Sequence, residues 1–407
     1  MKRQVLDITR TVSRVGRGLP TGIDRVERAY IQEFIDRFDK PLFLAKLKDD
    51  YAVIDVKSVV EFVNAQFGEK LVGKIGVRER FRFKLPKQQR LARSFIRKQA
   101  RSQFKINGLV NFFSHGFPDG FEYTNIGHSN LHSDFLSRLK PAGCTKIRVM
   151  IHDMIPLDFP QYCKEKTPQE FKAKMNAVAN TADVIICNSE YTKTRVKAYY
   201  SQMPAKASYI VAYLGVSPSF KIQEKEKTTP LSFVILGTIE ARKNHSLLLD
   251  AWEDLFKRVP IEQMPVLHIV GKRGWENDTF FGRLKASELY GNKIIEHNLM
   301  DDARLNELLS SAAALLFPSF AEGYGLPAIE AQAVGIPVIC SDIPVFQELL
   351  GKTASFLPSE QSGPWVDKLL DLMAENATPS ENNNKTLQDV EIPSWSAHFC
   401  HVLGAKI

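Results

Sequence analysis

Two glutamates eight positions apart are the residues whose spacing first suggests chemistry. In the stretch FPSFAEGYGLPAIEAQAVGIPVICSD, Glu322 precedes a Gly-Tyr-Gly-Leu-Pro loop and Glu330 follows it, with a strand-like apolar run on each side. Gly323 and Gly325 permit backbone geometry and close ligand approach that larger side chains prevent, and Pro327 suits the start of a helix. The pattern predicts a strand, a glycine loop and a helix whose amino end faces a ligand.

The predicted helix start is suited to phosphate binding. Amide groups at the amino end of a helix lack intrahelical partners, and the helix dipole favours an anion there. Glu330, expected in the first turn, can accept two hydrogen bonds from a ribose diol, and Glu322 is expected near the group attached to the phosphates. A first-turn glutamate also stabilises a helix without any ligand. The whole string, in which Tyr324 and Leu326 are further candidate contacts, favours the ligand.

A second candidate motif lies earlier in the chain, in ILGTIEARKNHSLLLDAW. Gly237 and Thr238 follow an apolar run, Arg242 and Lys243 come next, and Asn244 is placed to cap the following helix. Two cations beside a helix start suit a diphosphate, because they would neutralise the charge that builds on a departing nucleotide. Lys-Arg pairs are common on protein surfaces, so this motif alone is weaker evidence than the glutamate string.

The bulk composition limits the class of protein. A chain of 407 residues exceeds what one hydrophobic core usually organises, and 44% apolar with 25% charged residues is typical of soluble globular proteins. The five cysteines are scattered without a C-x-x-C pair, which favours reduced thiols over a disulfide framework or a zinc site. The amino-terminal residues lack the apolar core of a secretion signal. We therefore expect a cytoplasmic protein, with the inner face of the plasma membrane as a peripheral location.

Short apolar runs alternate with helix-like stretches, which predicts βαβ units and parallel sheets. The pattern restarts at Leu231, after the charged stretch Lys221–Pro230, which marks the predicted domain boundary. We expect an α/β fold with an N-terminal domain at 1–220, a C-terminal domain at 221–385 and a final segment, 386–407, that packs back towards the N-terminal domain. The strand-like runs of the first half are Pro41–Ala45, Leu109–Phe113, Ile147–Ile151, Val184–Cys187 and Tyr209–Tyr213.

The positive charge of the chain is concentrated in one segment. From Lys70 to Lys105 there are 13 Lys or Arg and one acid, Glu79, a net +12 that leaves −4 for the rest of a chain whose total is +8. Apolar residues at positions 91, 92, 95, 96, 100 and 104 follow one helical face, which is typical of a basic amphipathic helix on anionic membrane. A solvated surface helix is the alternative. The same segment would also suit a nucleic-acid-binding protein, although the negative remainder argues against a wide basic footprint.

The two motifs together resemble a known family. GTIEARKN followed by EGYGLPAIE is similar to the donor half of the GT-B glycosyltransferases of family 4, a large retaining group that uses nucleotide sugars. The glutamate string matches their E-x7-E motif, and the basic string resembles their diphosphate-binding loop. The resemblance implies two doubly wound, Rossmann-like domains that face each other across a cleft, where ligands of such sheets are expected.

The N-terminal half resembles the same family more loosely. PTGIDRVERAYIQEF implies that Gly22 and Arg25 contact the donor near its phosphates, and HDMIPLDFP implies that His152 meets a sugar. TNIGHSNLHSDF contains His128, a candidate for the acceptor side, although a buried hydrogen-bonded histidine is the commoner outcome. GKRGW, at residues 271–275, is a candidate wall of the nucleotide pocket.

One departure from the family affects the cationic residues. Many members have an arginine where this chain has Thr238, which leaves the cationic role to Lys243 and Arg242. We find no D-x-D triplet, and the histidines lack metal-ligand spacing, so we expect the diphosphate charge to be neutralised without a metal.

The resemblance implies a retaining hexosyltransferase of bacterial surface-polysaccharide biosynthesis. GDP-mannose is the favoured donor, with TDP-rhamnose or a UDP-sugar as alternatives, and the acceptor would be a glycan or a lipid-linked glycan. His152, Glu322, Lys243 and Arg242 are the expected catalytic residues. Two other interpretations remain: a basic nucleic-acid-binding protein, and an inactive nucleotide-sugar-binding protein of the same fold.

Overall fold

The chain forms two compact α/β units in a computed structural model, which describes residues 2–18, 20–68, 73–203, 205–222, 230–274, 277–298, 300–377 and 391–405. Unit 1 comprises Met1–Leu157, Lys164–Ala212 and Ser396–Ile407, and unit 2 comprises Asp158–Cys163 and Tyr213–Trp395. Most of the predicted linker at 221–230, most of residues 376–388 and Trp275 lie outside the described residues.

Unit 1 is built on a mixed sheet in the order β4-β3-β2-β1-β5-β6-β7-β8. Its strands are β1 (Arg3–Asp7), β2 (Leu42–Lys46), β3 (Asp50–Ile54), β4 (Ser102–Lys105), β5 (Phe121–Asn125), β6 (Cys144–Ile151), β7 (Val184–Cys187) and β8 (Ser208–Val211). Its helices are α1 (Thr9–Arg14), α2 (Gly22–Arg37), α3 (Val56–Gly68), α4 (Val77–Arg80), α5 (Lys87–Gln99), α6 (Leu109–Gly116), α7 (Ser133–Leu139), α8 (Ile155–Asp158), α9 (Thr167–Thr181) and α10 (Glu190–Tyr200).

Two details of unit 1 differ from the prediction. Strand β3 runs antiparallel to β2, because the connection from Lys46 to Asp50 is too short for a parallel crossover, and it also runs antiparallel to β4. The run Leu109–Phe113, predicted as a strand, is the helix α6. Leu109 and Phe113 are spaced i,i+4 and both are buried, whereas a short apolar run alone does not distinguish a strand from a buried helix.

Unit 2 is a parallel sheet in the order β11-β10-β9-β12-β13-β14. Its strands are β9 (Ser232–Leu236), β10 (Val266–Val270), β11 (Ile294–His297), β12 (Ala314–Phe317), β13 (Val338–Ser341) and β14 (Ala354–Leu357). Its helices are α11 (His245–Arg258), α12 (Asp278–Ala286), α13 (Asp302–Ser311), α14 (Leu326–Ala333), α15 (Pro344–Leu350) and α16 (Gly363–Ala377). With α17 (Trp395–Leu403), these elements confirm the predicted fold class of two doubly wound Rossmann-like units.

The strand order of unit 2 identifies where a ligand would bind. Counted along the chain from β9, it is the 3-2-1-4-5-6 order of a dinucleotide-binding sheet, and its direction reverses between β9 and β12. Ligands of such sheets sit beyond the carboxyl ends of the strands at this reversal. The two chemical motifs of the sequence follow β9 and β12, so the topology brings them together.

The basic segment does not form the predicted lipid-facing helix. The apolar residues Leu91, Ala92 and Ile96 of α5 are buried within unit 1. The helix ends at Gln99, and Phe104 lies in β4, where its ring stacks on Tyr51. The prediction was wrong because the apolar face of α5 covers the core of its own domain. Within the described parts of the chain, no helix combines the length and the apolarity needed to cross a bilayer.

The final helix packs on α2 within unit 1. The hydroxyl of Tyr30 lies 2.7 Å from Nε2 of His398, and Nδ1 of His398 lies 3.1 Å from the carbonyl oxygen of Ala212. The Tyr30 ring also meets the edge of Phe399 at a centroid distance of 4.9 Å. Both hydrogen-bonding side chains are buried, so the contact ties residues after Ser396 to the first third of the chain.

Replacing Tyr30 with Phe should loosen this attachment while preserving the ring contacts. Loss of the hydroxyl should lower the free energy of unfolding by about 1 kcal/mol and should increase amide hydrogen exchange in residues 396–403. Tyr290→Phe removes a hydroxyl from a more exposed ring and serves as the control. Unchanged exchange in the final helix of Tyr30→Phe would contradict the proposed anchoring.

Candidate functional site

The loops after β9 and β12 are joined at the reversal point of unit 2. A 3₁₀ turn, Ala241–Lys243, follows β9. The amide of Phe320 donates to the carbonyl of Arg242 at 2.9 Å, and the Arg242 guanidinium donates to the carbonyl of Ala321. These two hydrogen bonds hold the basic turn against the loop that carries Glu322.

The carboxylate of Glu322 lies at the centre of the joined loops. Its Oε1 is 2.6 Å from Nζ of Lys243, and its Oε2 is 3.0 Å from the Arg242 guanidinium. The hydroxyl of Ser319 donates to Oε1 at 2.8 Å. Lys243 also lies 4.3 Å above the Phe317 ring, a cation–π distance. The cluster therefore holds a buried cation at the carboxyl ends of β9 and β12.

Burial and opposite charge compete in this cluster. Burial raises the pKa of Glu322, but Arg242 and Lys243 outweigh it and lower that pKa to about 2. Burial lowers the pKa of Lys243, and the charge of Glu322 opposes part of that shift. Because the folded pKa of Glu322 lies below its ordinary value of 4.5, its ion pairs contribute stability above that pH. The contribution is lost as the pH falls towards 2.

Arg242 and Lys243 differ in how many of their donor groups already have partners. Arg242 donates to Glu240 at 2.7 Å, as well as to Glu322 and to the carbonyl of Ala321. Its guanidinium is thus committed to groups that shape the loop, and burial is outweighed by the two carboxylates, which raise its pKa. Lys243 carries three donor protons, of which the contact with Glu322 uses one. The geometry favours Lys243 as the cation for an anionic ligand and Arg242 as a positioning residue.

Glycines allow close packing of the loops after β9 and β10. A β-carbon on Gly271 would lie 1.8 Å from the carbonyl oxygen of Gly237, so the loops after β9 and β10 touch backbone to backbone. Gly237 has a φ of 138°, and a β-carbon there would lie 3.2 Å from Cε of Lys243. Thr238 follows and is half-buried. Close strand packing and the path of the lysine side chain therefore both depend on the glycines.

The helix α14 begins slightly earlier than predicted. It starts at Leu326, with Pro327 second and Gly325 as the N-terminal cap, at a φ of 99°. A β-carbon on Gly325 would lie 2.7 Å from the Phe346 ring. Glu330 is thus the fifth residue, so its predicted place in the first turn was wrong, and its side chain is fully buried beside the helix start.

The side chains of two other predicted contacts, Tyr324 and Leu326, are buried. The Tyr324 hydroxyl donates to the carbonyl of Leu214 at 3.0 Å. Gly323 precedes Tyr324 in the loop. Asn244 is the N-cap residue of α11, as predicted, but it adopts a left-handed conformation, and its side-chain amide donates to the carbonyl of Ser359 at 2.8 Å in place of a cap hydrogen bond to the helix.

A cavity of about 540 Å³ lies within unit 2 beside the glutamate loop. The Tyr162 and Phe320 rings on its wall are stacked at a centroid distance of 5.6 Å. Asp342 and Glu360 supply polar lining from the loops after β13 and β14. The sequence analysis missed this cavity because its walls come from separate parts of the chain.

Unit 1 also gathers polar side chains where its strand order reverses, between β1 and β5. Asp7, at the end of β1, accepts hydrogen bonds from the hydroxyl of Tyr123 at 2.8 Å, the side chain of Asn130 at 2.9 Å and the amide of Thr9 at 2.9 Å. Burial raises the pKa of Asp7 despite these donors. The sequence analysis did not identify this residue, because the partners of its side chain are distant in sequence.

The two predicted histidines of unit 1 lie together. The rings of His128 and His152 are 5.0 Å apart. Nε2 of His152 lies 2.8 Å from the carbonyl oxygen of Ile126, which assigns the ring proton to Nε2 and leaves Nδ1 as an acceptor. Burial lowers the pKa of His152 to about 4, so the ring is neutral at physiological pH. A neutral acceptor of this kind suits a sugar hydroxyl.

A buried carboxyl group lies beside Gly127, the residue before His128. Glu27 accepts a hydrogen bond from the hydroxyl of Thr11, and a β-carbon on Gly127 would lie 2.6 Å from its Oε1. Burial raises the pKa of Glu27 to about 8. Gly22 and Arg25, the other predicted residues of unit 1, lie in the first turn of the same helix, α2. No sequence pattern distinguished Glu27 from the other acids of its amphipathic helix.

No three His, Cys, Asp or Glu side chains among the described residues are arranged to hold a metal ion. The described cysteines are free thiols.

Residues 217–387 match the model of the family described as Glycosyl transferases group 1. The match includes both loops of the Glu322 cluster and nearly all of unit 2.

Several curated relatives are named as mannosyltransferases, and others are named as D-inositol 3-phosphate glycosyltransferases. The serotype-specific mannosyltransferase WbdA of Escherichia coli is 30% identical over 269 residues, which cover 58% of this chain and 31% of that protein. The O-antigen chain mannosyltransferase RfbU of Salmonella typhimurium strain LT2 is 29% identical over 231 residues, with 53% of this chain and 58% of that protein covered. The chain thus spans about a third of the length of the WbdA proteins it matches.

Solved structures share the fold. Anabaena Alr3699/HepE, in complex with UDP and glucose, superimposes with a TM-score of 0.59 at 13% identity, over 93% of this chain and 91% of that one. Sucrose-phosphate synthase from Thermosynechococcus elongatus superimposes with a TM-score of 0.51 at 18% identity, over 72% and 75% of the two chains. At these identities the likeness concerns the fold, and it supports the GT-B class.

Lys243 and Glu322 should be energetically coupled, so removing both side chains should destabilise the protein less than the sum of removing each one alone. Lys243→Met leaves the Glu322 carboxylate buried with fewer partners and should lower the free energy of unfolding by about 3 kcal/mol. The decrease in the free energy of unfolding of Lys243→Met/Glu322→Gln should be at least 1 kcal/mol smaller than the sum of the decreases in the two single variants. Urea unfolding of the four proteins measures this coupling.

The exposed pair of Arg138 and Asp134 provides the matched cycle. Its partners are 2.9 Å apart with the aspartate largely exposed, so coupling between Arg138→Met and Asp134→Asn should stay below about 0.5 kcal/mol. Additive effects at Lys243 and Glu322 would show that the buried cluster is not a cooperative unit.

Proposed function

We propose that the protein is a retaining glycosyltransferase that moves mannose from GDP-mannose to a glycan or lipid-linked acceptor in polysaccharide biosynthesis, without a divalent metal. The observation that carries the proposal is the buried Lys243 held by Glu322 of the loop that leads into α14, where the strand order of unit 2 reverses. The family match over residues 217–387 supports a nucleotide-sugar donor. The names of the curated relatives favour mannose, since HepE carries UDP and glucose at a much lower identity.

Charge stabilisation is the proposed source of catalysis. The donor diphosphate would lie at the amino end of α14, where the helix dipole and the Lys243 ammonium stabilise the negative charge that builds on the leaving group. Arg242 would hold the loop that carries Glu322 and thereby fix Lys243. Gly237, Thr238, Gly323 and Gly325 would allow the phosphates to approach the backbone.

The two glutamates would read different parts of the donor. Glu330, buried beside the helix start, would accept hydrogen bonds from the ribose diol. Glu322 would accept from a hydroxyl of the donor sugar with the lone pairs that Lys243, Arg242 and Ser319 leave available. Its low pKa keeps it an acceptor over the physiological pH range.

The chemical step follows from the retained configuration. The acceptor oxygen would bond to the anomeric carbon on the face from which the phosphate oxygen departs, and the acceptor proton would pass to that phosphate oxygen. No protein nucleophile takes part. Neutral His152 would orient a sugar hydroxyl through Nδ1, and His128 would shape the acceptor side.

Nucleotide binding tests the donor site. By calorimetry, GDP should bind more tightly than UDP or dTDP, and Glu330→Gln should weaken GDP binding about tenfold or more through loss of a charged acceptor. Glu288→Gln, an exposed change elsewhere in unit 2, should leave the affinity unchanged. Equal affinities of the Glu330→Gln and wild-type proteins would contradict the ribose contact.

Turnover tests the reaction. With GDP-mannose and octyl α-mannoside in the presence of EDTA, the wild-type protein should form an α-linked product by NMR, and Lys243→Ala should lower kcat more than it raises KM. A β-linked product, or activity abolished by EDTA, would contradict retention or metal independence. Donor binding without transfer to any mannoside would favour an inactive nucleotide-sugar-binding protein.

A further inference from the structure

Helix α4 and the turn that joins it to α5 expose apolar side chains that the glycosyl-transfer proposal does not use. Phe81 and Phe83 are 75% and 78% exposed, and Val77 is 68% exposed, whereas the helix that follows buries its apolar face. These are high values for aromatic and aliphatic residues in a folded unit. We refer to Val77–Lys87 as the α4 turn.

The α4 turn alternates between residues that anchor it and residues that face water. Glu79 is fully buried, and it pairs with Arg97 at 3.2 Å and with Arg82 at 3.5 Å. Arg82 also donates to the carbonyl of Leu47 at 3.1 Å, and the amide of Gly76 donates to Ser94 at 2.9 Å. Because the polar residues face inward and the phenylalanines outward, the exposure is imposed by the fold.

Cations surround the exposed phenylalanines. Arg80, Lys84 and Lys87 are exposed, and Arg78 remains 72% exposed although it lies 3.0 Å from Asp50. The acid of the turn, Glu79, is buried and neutralised by its arginine partners. The outward surface of the turn is therefore both apolar and positively charged.

We propose that the α4 turn is a membrane-docking surface that inserts Phe81 and Phe83 at the boundary between headgroups and acyl chains of an anionic bilayer. The surrounding cations match the charge of anionic headgroups, and stable peripheral binding requires such a second signal besides apolar insertion. Val77 adds an aliphatic side chain that cannot stack on nucleobases, and the net −4 of the chain outside 70–105 opposes a nucleic-acid footprint. The bilayer is therefore favoured over RNA or DNA. The inference is independent of the sugar-transfer proposal, because it concerns binding alone.

Vesicle flotation of the full chain tests the surface. The protein should partition at least tenfold more strongly to vesicles of phosphatidylcholine with phosphatidylserine than to phosphatidylcholine alone. Phe81→Ser/Phe83→Ser should reduce the partition coefficient at least tenfold without altering charge. Arg80→Gln/Lys84→Gln/Lys87→Gln should reduce the partition coefficient about a hundredfold, because each cation near an anionic surface contributes a factor of about five.

Matched variants separate the turn from general effects of charge and apolarity. Ile222→Ser/Phe256→Ser removes exposed apolar side chains from unit 2, and Lys57→Gln/Lys172→Gln/Lys285→Gln removes three exposed cations from other surfaces. Both should retain wild-type partitioning within about twofold. Circular dichroism and thermal unfolding report whether each variant is folded.

A gain-of-signal variant provides a second readout if a serine variant fails to fold. Phe81→Trp should add fluorescence that is quenched by brominated acyl chains in anionic vesicles, beyond the quenching of the wild-type protein. Equal recovery with neutral and anionic vesicles, absence of this added quenching, or equal losses in the turn and control variants would overturn the proposal. Binding of a fluorescent oligonucleotide that the turn variants lose, without vesicle binding, would assign the surface to nucleic acid instead.

Discussion

The buried contact between Glu322 and two neighbouring cations is the interaction on which the candidate donor site depends. A lysine ammonium is strongly hydrated, so it stays charged inside a protein only when a carboxylate compensates for the lost water. Glu322 supplies that charge at 2.6 Å, and Arg242 ties the carboxylate to the loop after β9. The candidate site therefore has a fixed positive group at the loop that leads into α14 before any ligand binds, which is the preorganisation that the proposed leaving diphosphate would require.

The two units use their sheets differently at equivalent places. At the reversal point of unit 2, opposite charges are held close together next to the helix start of α14. At the reversal point of unit 1, burial keeps polar groups neutral, with His152 unprotonated and the pKa of Glu27 raised to about 8. The first arrangement suits an anion and the second suits uncharged hydroxyls. This contrast is what a reaction between a nucleotide diphosphate sugar and a carbohydrate acceptor would require.

Local sequence patterns predicted part of this architecture. The pattern of Val184–Cys187 predicts a strand, because four apolar residues lie between polar neighbours, and the structure has this strand. The loop before α14 is predicted because Gly323 and Gly325 interrupt the apolar pattern between a strand and a helix. The α6 helix was missed because a run of five residues with four apolar side chains fits either a strand or a buried helix. The apolar face of α5 was wrongly predicted to contact membrane, because an amphipathic pattern shows that one face of a helix is apolar but does not show what packs against that face. The commitment of Arg242 to Glu240, Glu322 and Ala321 depends on tertiary contacts that no local pattern encodes.

The position of a bound nucleotide tests the central claim most directly. A crystal structure with GDP should show the diphosphate at the amino end of α14, within hydrogen-bond distance of the Lys243 ammonium, and the ribose hydroxyls against Glu330. A nucleotide bound elsewhere on unit 2, with solvent between Lys243 and the start of α14, would contradict the assignment of this cluster as the donor site.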